Sequence, residues 1–294
     1  MAENSKIEWT DHTANFWWGC VKVSPGCKNC YAETLSKRVG KNIWGPASTT
    51  SRERKQAIWK DIYKWDKEAR EAGKRRRVFV SSMSDFLEDH PQANEIRKEA
   101  IGVLQNLKWL DVLMLTKRPE NAKRFLGDWF SKWPEHVWMG TSVENQEAAD
   151  RRIPELLRIP AMIRFLSCEP LLGPVNLTEI PIPNTGVVMN SLNRASVFAP
   201  NIHWVIAGGE SGPKARPMHP DWVRSLRDQC HAAGTAFHFK QWGEWYPTFA
   251  NAGTPGGRNQ GDGFYFEDNQ QMWKVGKHNA GRLIDGREWN EFPS

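Results

Sequence analysis

The sequence lacks any long hydrophobic run. Its 294 residues contain no stretch of about 18 consecutive apolar residues, whereas a transmembrane helix needs about 20. A membrane-spanning helix is therefore not expected. Residues 1–9 contain no apolar segment preceded by positive charge, so we do not expect a secretory leader either.

Cysteines are too few for a disulfide framework. The chain has five, and without a secretory leader they indicate a reducing, cytoplasmic location in which thiols bind metals or react. The sequence also lacks a Gly-x-Gly-x-x-Gly pattern after an early strand. A dinucleotide-binding site is therefore not supported.

Basic residues are only slightly in excess over acidic residues. Forty Lys and Arg residues face 34 Asp and Glu residues, which leaves a net charge of +6. This permits an anionic partner but is weak evidence for nucleic acid. The basic run Lys74-Arg75-Arg76-Arg77 fits either a solvated face or phosphate contacts. Tryptophan, by contrast, is abundant: its 16 residues would serve core packing or a stacking surface for bases.

Short apolar runs alternate with segments of helical spacing along most of the chain. Strands are predicted at 77–85, 109–115, 136–142, 161–166, 202–207 and 236–243, and a first strand is predicted to end at Phe16-Trp17-Trp18. Helices are predicted at 93–107, 121–129, 144–158 and 221–233. This alternation predicts an α/β fold, a partial or complete parallel (β/α) barrel of the TIM type with an irregular C-terminal extension.

Two regions depart from the alternation and suggest the domain organisation. Residues 176–201 contain several prolines and no clear helical pattern, so we interpret them as a loop insertion. From about residue 246 the chain is rich in Gly, Asn and Asp, as in 251–257. We expect a barrel domain over 1–245 and a C-terminal extension over 246–294 that packs on the barrel.

Nearly every predicted strand is followed by polar residues that could take part in chemistry. These are Ser84, Asp85, Thr116, Lys117, Ser142, Glu144, Ser167, Glu169, Glu210, Lys240 and Gln241. In a parallel barrel such strand ends converge on the edge where active sites lie. Individual members also fit helix caps, turns or solvated positions: Glu144 would suit the start of the next helix, and Lys117 could be solvated.

Three cysteines form a C-x6-C-x2-C pattern near the amino end. Cys27 and Cys30 can face one metal centre from a single turn, and Cys20 follows the predicted first strand. Three thiolates could hold three irons of a 4Fe–4S cluster and leave the fourth open. They could instead bind zinc with a fourth ligand such as His12, or remain without metal. We interpret Cys168 and Cys230 as structural thiols.

This cysteine loop, with Tyr31 directly after the last cysteine, resembles the radical S-adenosylmethionine superfamily. The superfamily's usual spacing is C-x3-C-x2-C, so the six-residue first gap of this chain is a departure. The resemblance implies a barrel of the radical-SAM type, a 4Fe–4S cluster on Cys20, Cys27 and Cys30, and S-adenosylmethionine as cofactor. It also implies one-electron cleavage of that cofactor to a 5′-deoxyadenosyl radical, which abstracts a hydrogen from the substrate.

The chain also resembles a phage-type three-cysteine-motif family of unknown function. The matching stretches run from Trp9-Thr10-Asp11 through Glu33 and include Leu115 to Pro119, Ser167 to Pro174, Gly208 to Gly212, Lys240 to Gly243 and Gly281 to Trp289. This likeness spans nearly the whole chain but implies no reaction. A second protein encoded nearby is a further expected partner.

Site roles follow from the strand-end pattern and the radical-SAM resemblance. Cofactor-binding roles are expected for Tyr31, Ser84, Lys117, Ser142, Glu144, Gly208, Gly209 and Glu210, and catalytic roles for Lys117, Glu169, Glu210 and Lys240. In the superfamily a Gly-Gly-Glu lies on an early strand, whereas here it follows a late one, where it would also fit a turn. Thr116-Lys117-Arg118 and Ser142 resemble strand ends of the spore photoproduct lyase branch.

The leading hypothesis is a radical S-adenosylmethionine enzyme that acts on a nucleic acid, a nucleoside or a modified base. The alternative is a zinc-binding protein that binds nucleic acid without redox chemistry. A phage assembly or interaction protein is a third possibility. The identity of the bound metal separates these hypotheses.

Overall fold

The computed structural model describes residues 3–193, 200–247 and 263–293. The strands are β1 (His12–Ala14), β2 (Trp17–Trp18), β3 (Glu53–Arg54), β4 (Arg76–Val80), β5 (Leu110–Thr116), β6 (Val137–Ser142), β7 (Arg164–Cys168), β8 (Ile180–Pro181), β9 (Val188–Met189), β10 (Trp204–Gly208), β11 (Ala236–Gln241), β12 (Trp245–Pro247), β13 (Gly263–Tyr265) and β14 (Gln271–Lys274). The helices are α1 (Tyr31–Arg38), α2 (Ile58–Glu71), α3 (Pro91–Leu104), α4 (Ala122–Phe125), α5 (Gly127–Ser131), α6 (Gln146–Leu157), α7 (Pro220–Ala233) and α8 (Lys277–Ala280). Short 3₁₀ turns lie at Pro25–Cys27 and Pro119–Asn121.

Seven of these strands form one parallel sheet in the order β1-β4-β5-β6-β7-β10-β11. The order follows the chain without reversal, and α2, α3, α6 and α7 lie between successive strands in the sequence. Because β1 and β11 are the two edges, the sheet does not close. The predicted α/β fold with a partial parallel (β/α) barrel is thereby confirmed.

The central strands are buried along their whole length. All residues of β6 and β10 are buried, as expected for parallel strands covered on both faces, whose sequences are continuous apolar runs. Nine of the 16 tryptophans are buried too, at positions 9, 17, 65, 129, 133, 138, 204, 242 and 245. Most of the tryptophans therefore pack in the protein core.

The predicted first strand was wrong in position. The strand that joins the sheet is β1, which pairs in parallel with β4 through His12 and Val78. Trp17 and Trp18 form a separate antiparallel pair with Arg54 and Glu53 of β3. Cys20 therefore closely follows β2, a strand of this small pair, and not the first strand of the central sheet.

The structure also differs from the prediction in two helical segments. The segment predicted as one helix at 121–129 is two short helices, α4 and α5, separated at Leu126. Helix α2 was not predicted, although Ile58, Ile62, Trp65 and Ala69 form a buried stripe at helical spacing.

The predicted loop insertion and the C-terminal extension both contain strands. In the insertion, β8 pairs antiparallel with β9. The extension contains a three-stranded antiparallel sheet in the order β12-β14-β13. The Gly-rich segment at 251–257 lies outside the described residues.

The chain divides by internal contacts into two compact units. Unit 1 comprises residues 1–141 and 155–165, and unit 2 comprises residues 142–154 and 166–294. The division into a domain over 1–245 and an extension over 246–294 stays a prediction. No helix in the described part of the chain is long and apolar enough to cross a membrane.

Candidate metal and cofactor site

The three-cysteine loop lies in unit 1 and is shaped by close backbone contacts. Gly19 has a φ of +112°, and a Cβ there would lie 2.6 Å from the carbonyl oxygen of Ile43. Glycine is thus required directly before Cys20, whose own carbonyl accepts the Gly45 amide at 3.0 Å. Cys27 ends a 3₁₀ turn, with its sulfur 3.7 Å from the Ser24 hydroxyl.

Cys30 is the N-cap residue of α1 and lies in a mixed electrostatic environment. Burial raises the pKa of its thiol, whereas the backbone amides of Glu33 and Ala32 hydrogen-bond to it and lower the pKa. The neighbouring Cys27 raises this pKa further, and the Lys117 ammonium lowers it. The charge on the Cys30 sulfur is thus influenced by a second thiol, Cys27, and by the cation at the end of β5.

Cys20 lies beside Arg118, the residue that follows Lys117 at the end of β5. Arg118 places Nη1 3.9 Å from the Cys20 sulfur, and its Nη2 donates to the Val21 carbonyl at 2.8 Å. Burial raises the pKa of Cys20, Glu88 and Asp85 raise it further, and Arg118 opposes them. Cys20 and Cys30 therefore interact with adjacent residues, Arg118 and Lys117.

Asp85 joins the loop after β4 to the end of β5. Its carboxylate accepts hydrogen bonds from the Thr116 hydroxyl at 2.6 Å, the Lys117 amide at 3.0 Å and Arg118 Nη1 at 2.6 Å. Burial raises the pKa of Asp85, but Arg118 and these hydrogen bonds outweigh burial and keep the pKa below its ordinary value. Asp85 is thus an ionised, buried anchor for the Lys117-Arg118 pair.

The loop after β4 also presents hydroxyl groups. Tyr31 donates its hydroxyl hydrogen to the Ser82 carbonyl at 2.6 Å, which connects α1 to this loop. The hydroxyl oxygens of Ser81 and Ser84 are buried and have no hydrogen-bond partner among the described residues. Ser81 also has a φ of +73°, an uncommon conformation for a non-glycine residue that concentrates at functional sites.

The three thiols form a donor set that could hold a 4Fe–4S cluster. Four ligands about 2.3 Å from a tetrahedral zinc lie about 3.8 Å apart. Within the described residues, the three cysteine sulfurs are not all within 4.8 Å of one another. A four-iron cluster is larger than one ion and needs more widely spaced thiolates. The two unpartnered serine hydroxyls would suit a polar cofactor beside it.

Unit 2 contains the Gly-Gly-Glu sequence at the end of β10. A Cβ on Gly209 would lie 1.9 Å from the Trp242 carbonyl oxygen, and one on Gly208 would lie 2.6 Å from Glu169 Oε1. Both glycines are therefore explained by close packing against neighbouring groups. The Glu210 carboxylate is held by Arg216, with Nη2 at 2.6 Å and Nε at 2.8 Å.

The remaining predicted residues of unit 2 form two ion pairs. Lys240 Nζ lies 3.1 Å from Glu169 Oε1, and both side chains are partly exposed. Glu144 pairs with Arg152 at 2.6 Å, with side-chain exposures of 1% and 0%. The Ser142 carbonyl also accepts from Arg152. Helix α6 begins at Gln146, so Glu144 precedes the helix and does not lie in its first turn.

The sequence predicted the cysteines as metal ligands and Tyr31, Ser84 and Lys117 as cofactor-binding residues, and the structure places all of them in unit 1. Sequence reasoning missed Arg118 and Arg216 as partners of site residues, and it noted Asp85 only as a strand-end residue. The signal available for Arg118 was its position next to Lys117. Cys168 and Cys230 are fully buried, as expected for structural thiols.

Comparisons with known proteins give a family and a distant structural likeness. No curated protein matches the chain. A solved spore photoproduct lyase variant, with one cysteine replaced by alanine, shares 9% sequence identity at a TM-score of 0.40. The same variant with a dinucleoside spore photoproduct shares 10% identity at a TM-score of 0.37. Each likeness covers 88% of this chain and 66% of that chain, so this chain spans about two thirds of their length.

Similarity of this order identifies no reaction. The family comparison is more decisive, because one family model matches residues 4–293, nearly the entire chain. Its description does not refer to phages, so the phage-type resemblance stays a prediction. The chain belongs to the family described as Protein of unknown function (DUF5131).

Proposed function

We propose that the chain is a radical S-adenosylmethionine enzyme whose 4Fe–4S cluster is held by Cys20, Cys27 and Cys30. One observation carries the proposal: a single loop in unit 1 presents three free thiols, and Arg118 at the end of β5 lies 3.9 Å from the sulfur of one of them, Cys20. Three thiolate ligands for four irons leave one iron for the cofactor.

The bound cluster would supply the electron that cleaves the sulfonium of S-adenosylmethionine to a 5′-deoxyadenosyl radical. The chain's own residues would bind and orient that cofactor. Lys117, whose ammonium lowers the pKa of Cys30, would supply positive charge for the carboxylate of the cofactor. The unpartnered hydroxyls of Ser81 and Ser84 supply hydrogen bonds, and Tyr31 fixes their loop to α1.

We further propose that the substrate is a nucleic acid, a nucleoside or a modified base. The net charge of +6, from 40 basic and 34 acidic residues, permits an anionic substrate. The Glu169–Lys240 pair, the Glu210–Arg216 pair and Gln241 in unit 2 are proposed to act on the substrate side. Each pair combines a cation with a carboxylate that closely follows a strand of the central sheet. Roles for Ser142, Glu144, Gly208 and Gly209 in cofactor binding remain proposals as well.

Formation of 5′-deoxyadenosine tests this function. Anaerobic, cluster-loaded protein with a strong reductant and S-adenosylmethionine should release 5′-deoxyadenosine, measured by chromatography with mass detection. Lys117→Gln should raise the cofactor concentration needed for half-maximal rate about tenfold, the effect of about 1.4 kcal/mol of lost binding. The matched control is Lys123→Gln on the exposed face of α4, which should behave as wild type. Cluster-loaded wild type that releases no 5′-deoxyadenosine would disprove the function.

A further inference from the structure

Most of the net positive charge of the chain lies in one short stretch. Residues 20–41, which comprise the cysteine loop, α1 and the turn after α1, contain five basic residues and one acidic residue and so contribute +4 of the total of +6. The basic residues are Lys22, Lys28, Lys37, Arg38 and Lys41, and all of them are exposed or partly exposed. A basic surface therefore adjoins the candidate metal site.

The carboxylate in this stretch does not neutralise its cations. Lys22 and Lys37 both pair with Glu33, each at 2.6 Å, so one negative charge serves two ammonium groups. Lys28 and Arg38 are exposed and have no ion pair within the described residues. These two cations are available to an anionic partner.

Helix α1 presents an aromatic ring on the same face as one of these cations. Tyr31, Leu35 and Arg38 follow the spacing i, i+4, i+7 and are all exposed, Tyr31 at 58% and Leu35 at 41%. The Tyr31 hydroxyl donates to the Ser82 carbonyl at 2.6 Å, which ties the tip of the side chain to the loop after β4. The exposed face thus combines a tethered aromatic ring with positive charge.

This combination fits a single-stranded nucleic acid better than an acidic protein. Proteins that bind single strands combine cations that follow the phosphate backbone with aromatic side chains on which bases stack. Interfaces between proteins instead have a core from which charged residues, lysine above all, are depleted. Here Arg38 shares the face of Tyr31, and Lys28 precedes Tyr31 by three residues. Ring and cations alternate, as bases and phosphates do along a nucleotide chain.

Resting on the proposed function, we propose that the α1 surface, formed by Lys28, Tyr31 and Arg38, binds single-stranded nucleic acid as the substrate. Lys28 and Arg38 neutralise phosphates, and a base stacks on the ring of Tyr31. Because α1 begins directly after Cys30, a strand bound there lies next to the cysteine loop. The substrate is thereby narrowed to a polymer with unpaired bases.

Binding of a labelled single strand to the full-length protein tests this proposal and requires no turnover. Fluorescence anisotropy with DNA and RNA strands of about 16 nucleotides gives the dissociation constant, in metal-free and in cluster-loaded protein. Tyr31→Ala should raise the dissociation constant about tenfold, because the stacked base loses its ring. Tyr31→Phe keeps the ring without the hydroxyl and should stay within about threefold of wild type.

Charge variants test the phosphate contacts separately. Lys28→Gln and Arg38→Gln should each weaken binding and reduce the slope of log K against log salt by about 0.7, measured between about 50 and 200 mM salt, as loss of one phosphate contact predicts. Lys98→Gln is the matched control, since this exposed lysine of α3 pairs with Glu95, and it should leave both quantities unchanged. Thermal unfolding checks that each variant is folded.

Polyglutamate of similar length is a competitor that represents an acidic protein. It should displace the strand about tenfold less effectively than unlabelled oligonucleotide, because it offers no bases to stack. Equal displacement by polyglutamate overturns the proposal, as does wild type that binds neither strand. Wild-type affinity in Tyr31→Ala, or the wild-type salt slope in both charge variants, overturns it too.

Two outcomes keep this test separate from that of the proposed function. If Tyr31→Ala does not fold, the charge variants and the polyglutamate competition decide. Protein that binds the strand through the α1 surface but releases no 5′-deoxyadenosine would disprove the radical chemistry and retain the binding site. Release of 5′-deoxyadenosine by protein that binds no strand would retain the chemistry and overturn the substrate proposed here.

Discussion

Gly209 shows how one missing side chain permits the close approach of two strand ends in unit 2. A Cβ there would lie 1.9 Å from the Trp242 carbonyl oxygen, which belongs to backbone and cannot rotate away. The pairing of β10 with β11 already shifts register between Ala207 and Gly208 at this point. Close packing thus explains why Gly208 and Gly209 are glycines, and Glu210 is the residue of this sequence that carries a reactive side chain.

We expect Gly209→Ala to destabilise the protein by about 1–3 kcal/mol, because overpacking forces the backbone to shift. Gly102→Ala in α3 is the control: a Cβ there meets nothing within 4 Å, and alanine is the better helix former by about 0.5–1 kcal/mol. Urea unfolding of both variants measures the difference. A Gly209→Ala protein as stable as wild type would show that the two strand ends can accommodate a Cβ at position 209 without strain.

At the scale of elements, Asp85 and Arg118 connect the ends of β4 and β5. Breaking a buried ion pair by neutralising one partner costs about 3–5 kcal/mol. The pKa of Asp85 is lowered in the folded state, so the unfolded chain takes up the proton first as the pH falls. The stabilisation by this carboxylate is therefore present above the unfolded pKa of about 3.9 and is lost as the pH falls through the lower folded pKa.

Asp85→Asn should accordingly lower the free energy of unfolding by about 3–5 kcal/mol at pH 7 and by about 1 kcal/mol less at pH 3, where most unfolded chains carry the proton. Asp89→Asn, whose exposed carboxylate pairs with Arg124 on the surface, should cost about 0–1 kcal/mol at pH 7. Urea unfolding at both pH values gives the comparison. An equal loss in Asp85→Asn at pH 7 and pH 3 would mean that the ionised carboxylate contributes nothing.

The strands of the sheet were largely predictable, because a buried parallel strand is a continuous apolar run. Strand β1 was not, since two of its three residues, His12 and Thr13, are polar. His12 is buried through stacking on Trp65, at 4.6 Å between ring centroids, and that partner lies in α2, a helix the prediction omitted. Burial of a polar strand depends on such tertiary contacts and leaves no periodic pattern.

The candidate site was predictable only in part for the same reason. The cysteine spacing is local and could be read directly. The contact of Asp85 with Arg118 depends on β4 and β5 being neighbours in register, with Val80 opposite Met114. Nothing in the spacing of these residues along the chain specifies that register, so the anchor of Lys117-Arg118 was found only in the structure.

At the scale of the whole molecule, the family assignment covers nearly all residues but assigns no chemistry. Unit 1 contains the cysteine loop with its buried anchor, and unit 2 contains the Glu169–Lys240 and Glu210–Arg216 pairs. The chemistry therefore depends on what the three thiols of unit 1 bind.

The most direct measurement is the iron and sulfide content of anaerobically reconstituted protein, with its absorption near 400 nm. Wild type should contain about four irons and four sulfides per chain, as a 4Fe–4S cluster requires. Replacing Cys20, Cys27 and Cys30 by alanine should abolish both, whereas Cys230→Ala, which removes a buried thiol of α7, should keep them. Wild type that binds only zinc, or a triple variant that keeps its iron, would contradict the account.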